Sequence, residues 1–309
     1  KYIVMEKFTR ELHIDAINEI CKWGRDMEIS NDNKKAYMDA NLIDLAFDTP
    51  IYRIFRIDRL ISTLKEKKLC LVKPKLWDDP FENFLLNARG VLDDGTSVSF
   101  EPIREQYYGQ CWSLKEECDG LWRNYTSYSC KTCTPNDFNE RTGHSPVSAK
   151  VKTTVGKLMD SFYDETNPFH CLCYFMGKVR YLGTDDIIDY LKKAEKEKYI
   201  QDNTNINQIL SLLIKRHSFS YEEEVRLIFM RPDDTNVPIN QKGVKNPWDI
   251  HSDIFQFNIN PDLLFDSIEI NPWIDESNCS MVINEVKKYY NGNVVRSKLY
   301  DHPFFTVKL

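Results

Sequence analysis

The sequence predicts an α+β protein built on a curved or split, mainly antiparallel sheet with a helical segment at its N-terminus. Three observations carry this expectation. Apolar residues repeat at helical spacing over the first 48 residues, and short alternating strands bounded by turn signals follow. The chain also holds only 11 glycines, with neither a G-x-G-x-x-G run nor a Walker phosphate loop, which argues against a doubly wound nucleotide fold.

Taken in order, Leu12, Ala16, Ile17, Ile20 and Cys21 predict a helix after a Thr9 cap, and residues 37–47 repeat the pattern after the polar break at residues 30–33. Asp48-Thr49-Pro50 closes this segment, so 1–48 is expected as a helical attachment and 49–309 as the α+β core. Residues 51–56 read as a strand, 59–67 as a helix capped by Asp58, and 69–72 as a strand. Asp93-Asp94-Gly95 predicts a hairpin, and 110–114 another strand. Residues 126–146 lack periodicity and are expected to form a Cys-rich loop insertion. Beyond it, 171–181 and 223–230 read as strands; 184–198 and 206–216 read as helices after Thr184 and Asn205. Strands at 254–259, 267–270 and 294–295 and a helix over 276–290 complete the reading.

With 309 residues, 42% hydrophobic and 28% charged, the chain is long and apolar enough for a substantial core. A net charge of −6 gives no global attraction to nucleic acid, although Lys65, Lys67, Lys68, Lys73 and Lys75 form a local basic cluster. No apolar stretch reaches membrane length, the given start does not read as a signal peptide, and nine irregularly spaced cysteines do not make a disulfide framework, so a cytoplasmic protein with reduced thiols is expected. Cys130, Cys133, His170, Cys171 and Cys173 are the residues from which a zinc site could be drawn.

Four stretches are candidates for chemistry, each with a purely structural reading beside it. If extended, residues 222–226 put Glu222, Glu224 and Arg226 on one face, opposite Glu223 and Val225, so charges line up beside a strand that runs on into an apolar tract. Tyr52 and Arg53 begin the 51–56 strand, where Arg53 shares a face with Ile51 and Phe55 and is suited to fork onto a carboxylate or a phosphate. Cys111-Trp112-Ser113 precedes Trp122 and Tyr125, flat rings three apart that could pack a base or nicotinamide or simply fill the core. Asp78-Asp79-Pro80-Phe81-Glu82 is a turn whose aspartates are suited to accept backbone hydrogen bonds.

In this order the motifs resemble a widespread bacterial family of domains of unknown function. That family combines an aromatic-Arg strand, an Asn-Asp-Pro-(Phe/Tyr)-Glu turn, a Cys-(Phe/Trp)-Ser strand, Trp-x-x-Tyr and a closing Glu-x-Glu-x-Arg. The resemblance covers roughly residues 50–275, with Asp78 in the place of the usual Asn. A more distant similarity is to ADP-ribosyltransferases and their Arg, Ser, Glu scheme. It implies Arg53, Ser113 and Glu224 as catalytic residues, with Tyr52, Trp112, Trp122, Tyr125, Glu222 and Arg226 binding NAD, the implied substrate. Ser113 is followed by Leu114, a departure from the Ser-Thr-Ser of those enzymes. The resemblance further implies a toxin or defence-type effector with a macromolecular acceptor, nucleic acid or protein, and a neutralising partner protein. A non-catalytic binding module and a metal-dependent nuclease or phosphoesterase using Asp78, Asp79, Glu82, Glu222 and Glu224 are the alternative readings.

Overall fold

Strands rich in β-branched and aromatic residues dominate the centre of the chain, and they pair into one large, open, mostly antiparallel sheet. The computed structural model describes residues 41–77, 79–126, 147–162, 173–192, 206–231 and 252–301. The helices expected over residues 9–40, the insertion beyond residue 126, Asp78, Cys130, Cys133, His170 and Cys171 lie outside the described residues. No described helix is long and apolar enough to cross a membrane.

In chain order the described strands are β1 (Leu42–Ile43), β2 (Pro50–Arg56), β3 (Lys68–Val72), β4 (Arg89–Val91), β5 (Ser97–Ser99), β6 (Tyr107–Ser113) and β7 (Ser148–Thr154). They continue with β8 (Tyr174–Lys178), β9 (Arg180–Leu182), β10 (Ile214–Arg216), β11 (Glu224–Met230), β12 (Ile254–Asn258), β13 (Ser267–Ile270) and β14 (Asn293–Arg296). The main sheet runs β1-β8-β11-β6-β2-β7-β13-β14, with β3 and β12 branching from β6. Pairing is parallel at the two ends, β1 with β8 and β13 with β14, and antiparallel elsewhere in this sheet. The 93–95 turn forms the expected hairpin β4-β5, with Gly95 at a φ of 84° that glycine adopts without penalty.

The sheet buries both faces, which is why β11 reads as a nearly unbroken apolar run. One face carries Tyr108, Trp112, Tyr174, Met176, Val225, Leu227 and Phe229 into the main core. Helices Ile57–Glu66, Val155–Asp160 and Glu276–Val286 contribute Leu60, Leu64, Leu158, Val282 and Val286 to that core. The opposite face places Tyr107, Phe175 and Ile228 against Ile206, Ile209 and Leu210 of helix Ile206–Leu212. Alternation along β11 is therefore as the sequence predicts, with Glu224 and Arg226 on the second face.

Several boundaries differ from the sequence expectation. Residues 42–43 form a strand where a helix is expected, because they add to β8 while the Asn41 side chain donates to the Tyr174 carbonyl at 2.8 Å. The 171–181 run breaks at Val179 into β8 and β9, which join different sheets. The 206–216 helix stops at Leu212, and Ile214–Arg216 pairs in parallel with β9. Its Lys215 and Arg216 thereby leave a helix surface for a strand beside β11. Lys73 and Lys75 of the basic cluster pair with Glu105 at 2.7 and 3.3 Å, and Lys73 is buried.

Candidate functional site

The site is made by a fork in the sheet. On the side of β6 away from β11, β3 touches it at Val72 opposite Gly109 and β2 touches it at Tyr52 opposite Ser113. Between these two points the strands part. Two side chains stitch the gap: the Arg53 guanidinium donates to the Cys111 carbonyl, and Gln110 donates to the Cys70 carbonyl at 2.9 Å while accepting from the Trp112 indole at 2.9 Å. Backbone groups that lose their strand partner are thus bonded by side chains instead.

A cavity of about 680 Å³ opens at this fork, lined by Tyr52, Arg53, Cys111, Ser113, Tyr125 and Glu224 among others. Register explains part of the convergence. Tyr52, Ser113 and Glu224 stand directly opposite one another on β2, β6 and β11, so their side chains leave the same face of the sheet. The Arg, Ser and Glu singled out in the sequence are far apart in the chain and all line this cavity. Trp112, Trp122 and Glu222 line it too.

Glu224 is 3% exposed and ends a charge network. Arg226 donates to it through Nε at 2.7 Å and Nη2 at 3.3 Å, and Lys215 Nζ approaches its second oxygen at 3.0 Å. The same ammonium lies 2.7 Å from Glu222 and 3.1 Å from Glu82, while Arg226 reaches Glu82 at 3.1 Å. Three carboxylates therefore face two cations, leaving one negative charge when all are ionised. Burial pushes the Glu224 carboxyl up, but Arg226 and Lys215 outweigh it and hold it at about 2. Burial raises the Glu222 carboxyl above its ordinary 4.5, with Lys215 opposing. Burial also lifts the Cys111 thiol well above its ordinary 9.0, helped by neighbouring Glu224.

The Asp-Pro-Phe-Glu turn joins this network from below. Asp79 accepts from the Phe81 backbone N–H at 3.0 Å, the structural task expected of it, and pairs with Arg216 at 2.8 Å. Phe81 lies under the Arg216 guanidinium at 4.7 Å, and Trp77 stacks on Arg226 at 4.3 Å. Gly109 permits that stack, since a Cβ there would stand 2.6 Å from Trp77 Cζ2.

The structure fixes the surroundings of five more of the residues singled out in the sequence. Arg226 is fully buried behind the cavity wall and bonded to Glu224, Glu82 and the Leu212 carbonyl, so it braces the two carboxylates. Glu222 is not on the strand: it ends a 3-10 helix, His217–Glu222, and Glu223 at a φ of 41° turns the chain into β11. It meets Glu224 through Lys215 instead of through strand alternation. Ser113 does not touch the Glu224 carboxylate; its hydroxyl donates to the Glu222 carbonyl at 2.6 Å and accepts from the Lys115 N–H at 3.0 Å. Trp112 and Trp122 are 2% and 0% exposed, whereas Tyr125 and Tyr221, which also line the cavity, are each 42% exposed.

Arg53 meets no carboxylate at ion-pair distance among the described residues. Its Nε is buried without a hydrogen-bond partner, and its guanidinium carbon lies 5.1 Å from the Phe55 ring. A guanidinium in a cavity wall without a carboxylate partner suits an anionic ligand. Lys150, also in the wall, is taken by Glu117 and by Glu269 at 3.0 Å. Asp79, Glu82, Glu222 and Glu224 are each already engaged by a lysine or arginine. Among the described residues no group of three His, Cys, Asp or Glu could hold a metal ion.

Sequence reasoning missed Lys215 and Tyr221. Lys215 follows an apolar helical pattern, which does not point to its facing three acids. A lysine close before the acidic 222–224 run was the one available signal, and it is a weak one.

No family model matches the chain, and no curated protein matches it. Solved structures of Thermus sp. 2.9 DarT are similar to it at 12% identity: the complex with carba-NAD+ has a TM-score of 0.33, with 82% of this chain and 98% of that one covered. The complex with NAD+ has a TM-score of 0.32, covering 82% and 97%, and the complex with ADP-ribosylated ssDNA has 0.34, covering 81% and 95%.

Proposed function

We propose that the chain is an NAD-dependent ADP-ribosyltransferase that modifies a macromolecule, nucleic acid or protein. One observation carries the reading: Arg53, Ser113 and Glu224 line a single cavity at the fork of the sheet, with Tyr52, Ser113 and Glu224 in register on adjacent strands. Cleaving the nicotinamide–ribose bond develops positive charge on the sugar, and a fixed anion lowers that barrier most when it is already ionised and oriented. Glu224 meets both conditions, because Arg226 and Lys215 keep it charged and hold both of its oxygens. The network's residual negative charge favours a cationic centre beside it. Arg53, whose guanidinium lines the cavity, takes the pyrophosphate. Ser113 keeps the Glu222–Glu224 segment against β6, and Tyr125 packs a ring at the mouth.

The test is release of nicotinamide from NAD by the purified protein, with single-stranded nucleic acid or a protein mixture as acceptor. Wild-type protein should release it with or without added magnesium. Glu224→Gln should lower the rate by about 100-fold or more. Equal release by both proteins, or none by the wild type, would sink the reading. Magnesium-dependent cutting of nucleic acid would favour a nuclease instead.

A further inference from the structure

We infer that Lys215 is a positioning residue that sorts the two site carboxylates, fixing Glu224 as the permanent anion and leaving Glu222 as the one that exchanges a proton. The inference rests on the transferase reading for its catalytic meaning, but its geometry stands independently. Lys215 is the point where three separate segments meet, with Nζ at 3.1, 2.7 and 3.0 Å from Glu82 on the 79–82 turn, Glu222 on the 3-10 helix and Glu224 on β11. Its side chain is 11% exposed and its ammonium lies 4.8 Å from the Phe219 ring, so its position is closed in on several sides.

The two carboxylates differ in what else they hold. Glu224 has Arg226 as a second cation and the Cys111 thiol as a donor. For Glu222, Lys215 is the cation at ion-pair distance among the described residues. One ammonium shared between them therefore leaves the better-supplied carboxylate charged and the other able to take up a proton. The opposite shifts of Glu224 and Glu222 agree with this. The other groups facing the cluster are Tyr181, whose hydroxyl accepts from the Glu224 N–H at 2.8 Å, the Arg216–Asp79 pair, and Tyr125 with Arg53 across the cavity. None of these offers Glu222 a second ammonium. A carboxyl that exchanges a proton beside a fixed carboxylate is what activation of an acceptor hydroxyl or amide would use.

Two substitutions give opposite signs. Lys215→Met should move the Glu222 titration up by about one unit or more, and Glu82→Gln, which frees Lys215 from one competing acid, should move it down. Both are read by carboxyl 13C NMR on glutamate-labelled protein, with Glu222→Gln assigning the resonance. In turnover, Lys215→Met should shift the acid limb of the kcat/KM profile the same way and lower kcat about tenfold or more at pH 7, with the KM for NAD changed less than about threefold. Lys215→Arg should restore the limb.

A Glu222 titration unmoved by both Lys215→Met and Glu82→Gln overturns the inference, even if stability falls. If Lys215→Met does not fold, the downward shift in Glu82→Gln decides alone. Absence of nicotinamide release by the wild type counts against the transferase reading, while the NMR titrations still decide the role of Lys215.

Discussion

Arg226 shows how one side chain can matter more for holding a site than for touching a ligand. It is fully buried, and its donors are divided among Glu224, Glu82 and the Leu212 carbonyl, with Trp77 over its plane. Planarity and five donors let a guanidinium do this where an ammonium could not. Burial raises the cost of any loss, because a carboxylate left without its cation stays desolvated. Arg226→Met should therefore lower stability by about 3–5 kcal/mol in urea unfolding, through Glu224 and Glu82 more than through lost volume. A loss under about 1 kcal/mol would mean that Lys215 alone neutralises both acids. The sequence made Arg226 visible as part of a charged row, but it could not say that the row points inward to a partner on the 79–82 turn.

At the scale of elements, the fork between β2 and β3 decides where the cavity lies. β6 is shared by both branches, and its Gly109 is the contact point with β3. That glycine also makes room for Trp77, which in turn lies on Arg226. Gly109→Val should push Trp77 off the guanidinium and cost about 1–3 kcal/mol, seen as a shifted tryptophan emission together with a lower melting temperature. An unchanged emission would mean that the indole tolerates the added carbons and that the fork is looser than its packing indicates. The strands themselves were legible from alternation and turn residues. Their separation was not, because it depends on Arg53 and Gln110 bonding to carbonyls on other strands.

For the whole molecule, the charge network links the site to acid stability. Glu224 is held at about 2 in the folded protein against an ordinary 4.5, so the stability it contributes is complete above about pH 4.5 and is lost as pH falls toward 2. Glu222 acts in the opposite sense: its raised carboxyl disfavours the folded state once ionised, and protonation relieves that cost. The wild-type melting temperature should fall between pH 4.5 and 2 more steeply than that of Glu224→Gln. Parallel curves would place the acid-sensitive groups elsewhere. Read alone, the sequence determined the α+β class and the mainly antiparallel sheet, because turn residues and the two-residue period of strands act locally, and it singled out Arg53, Ser113, Glu222 and Glu224 as candidates. Only the tertiary structure decided that Lys215 and Glu82 complete the network, that Arg226 is buried behind the wall, and that Arg53 lines the cavity. A side chain's direction follows from its neighbours in sequence, but the partner that balances its charge comes from a distant segment brought close by folding.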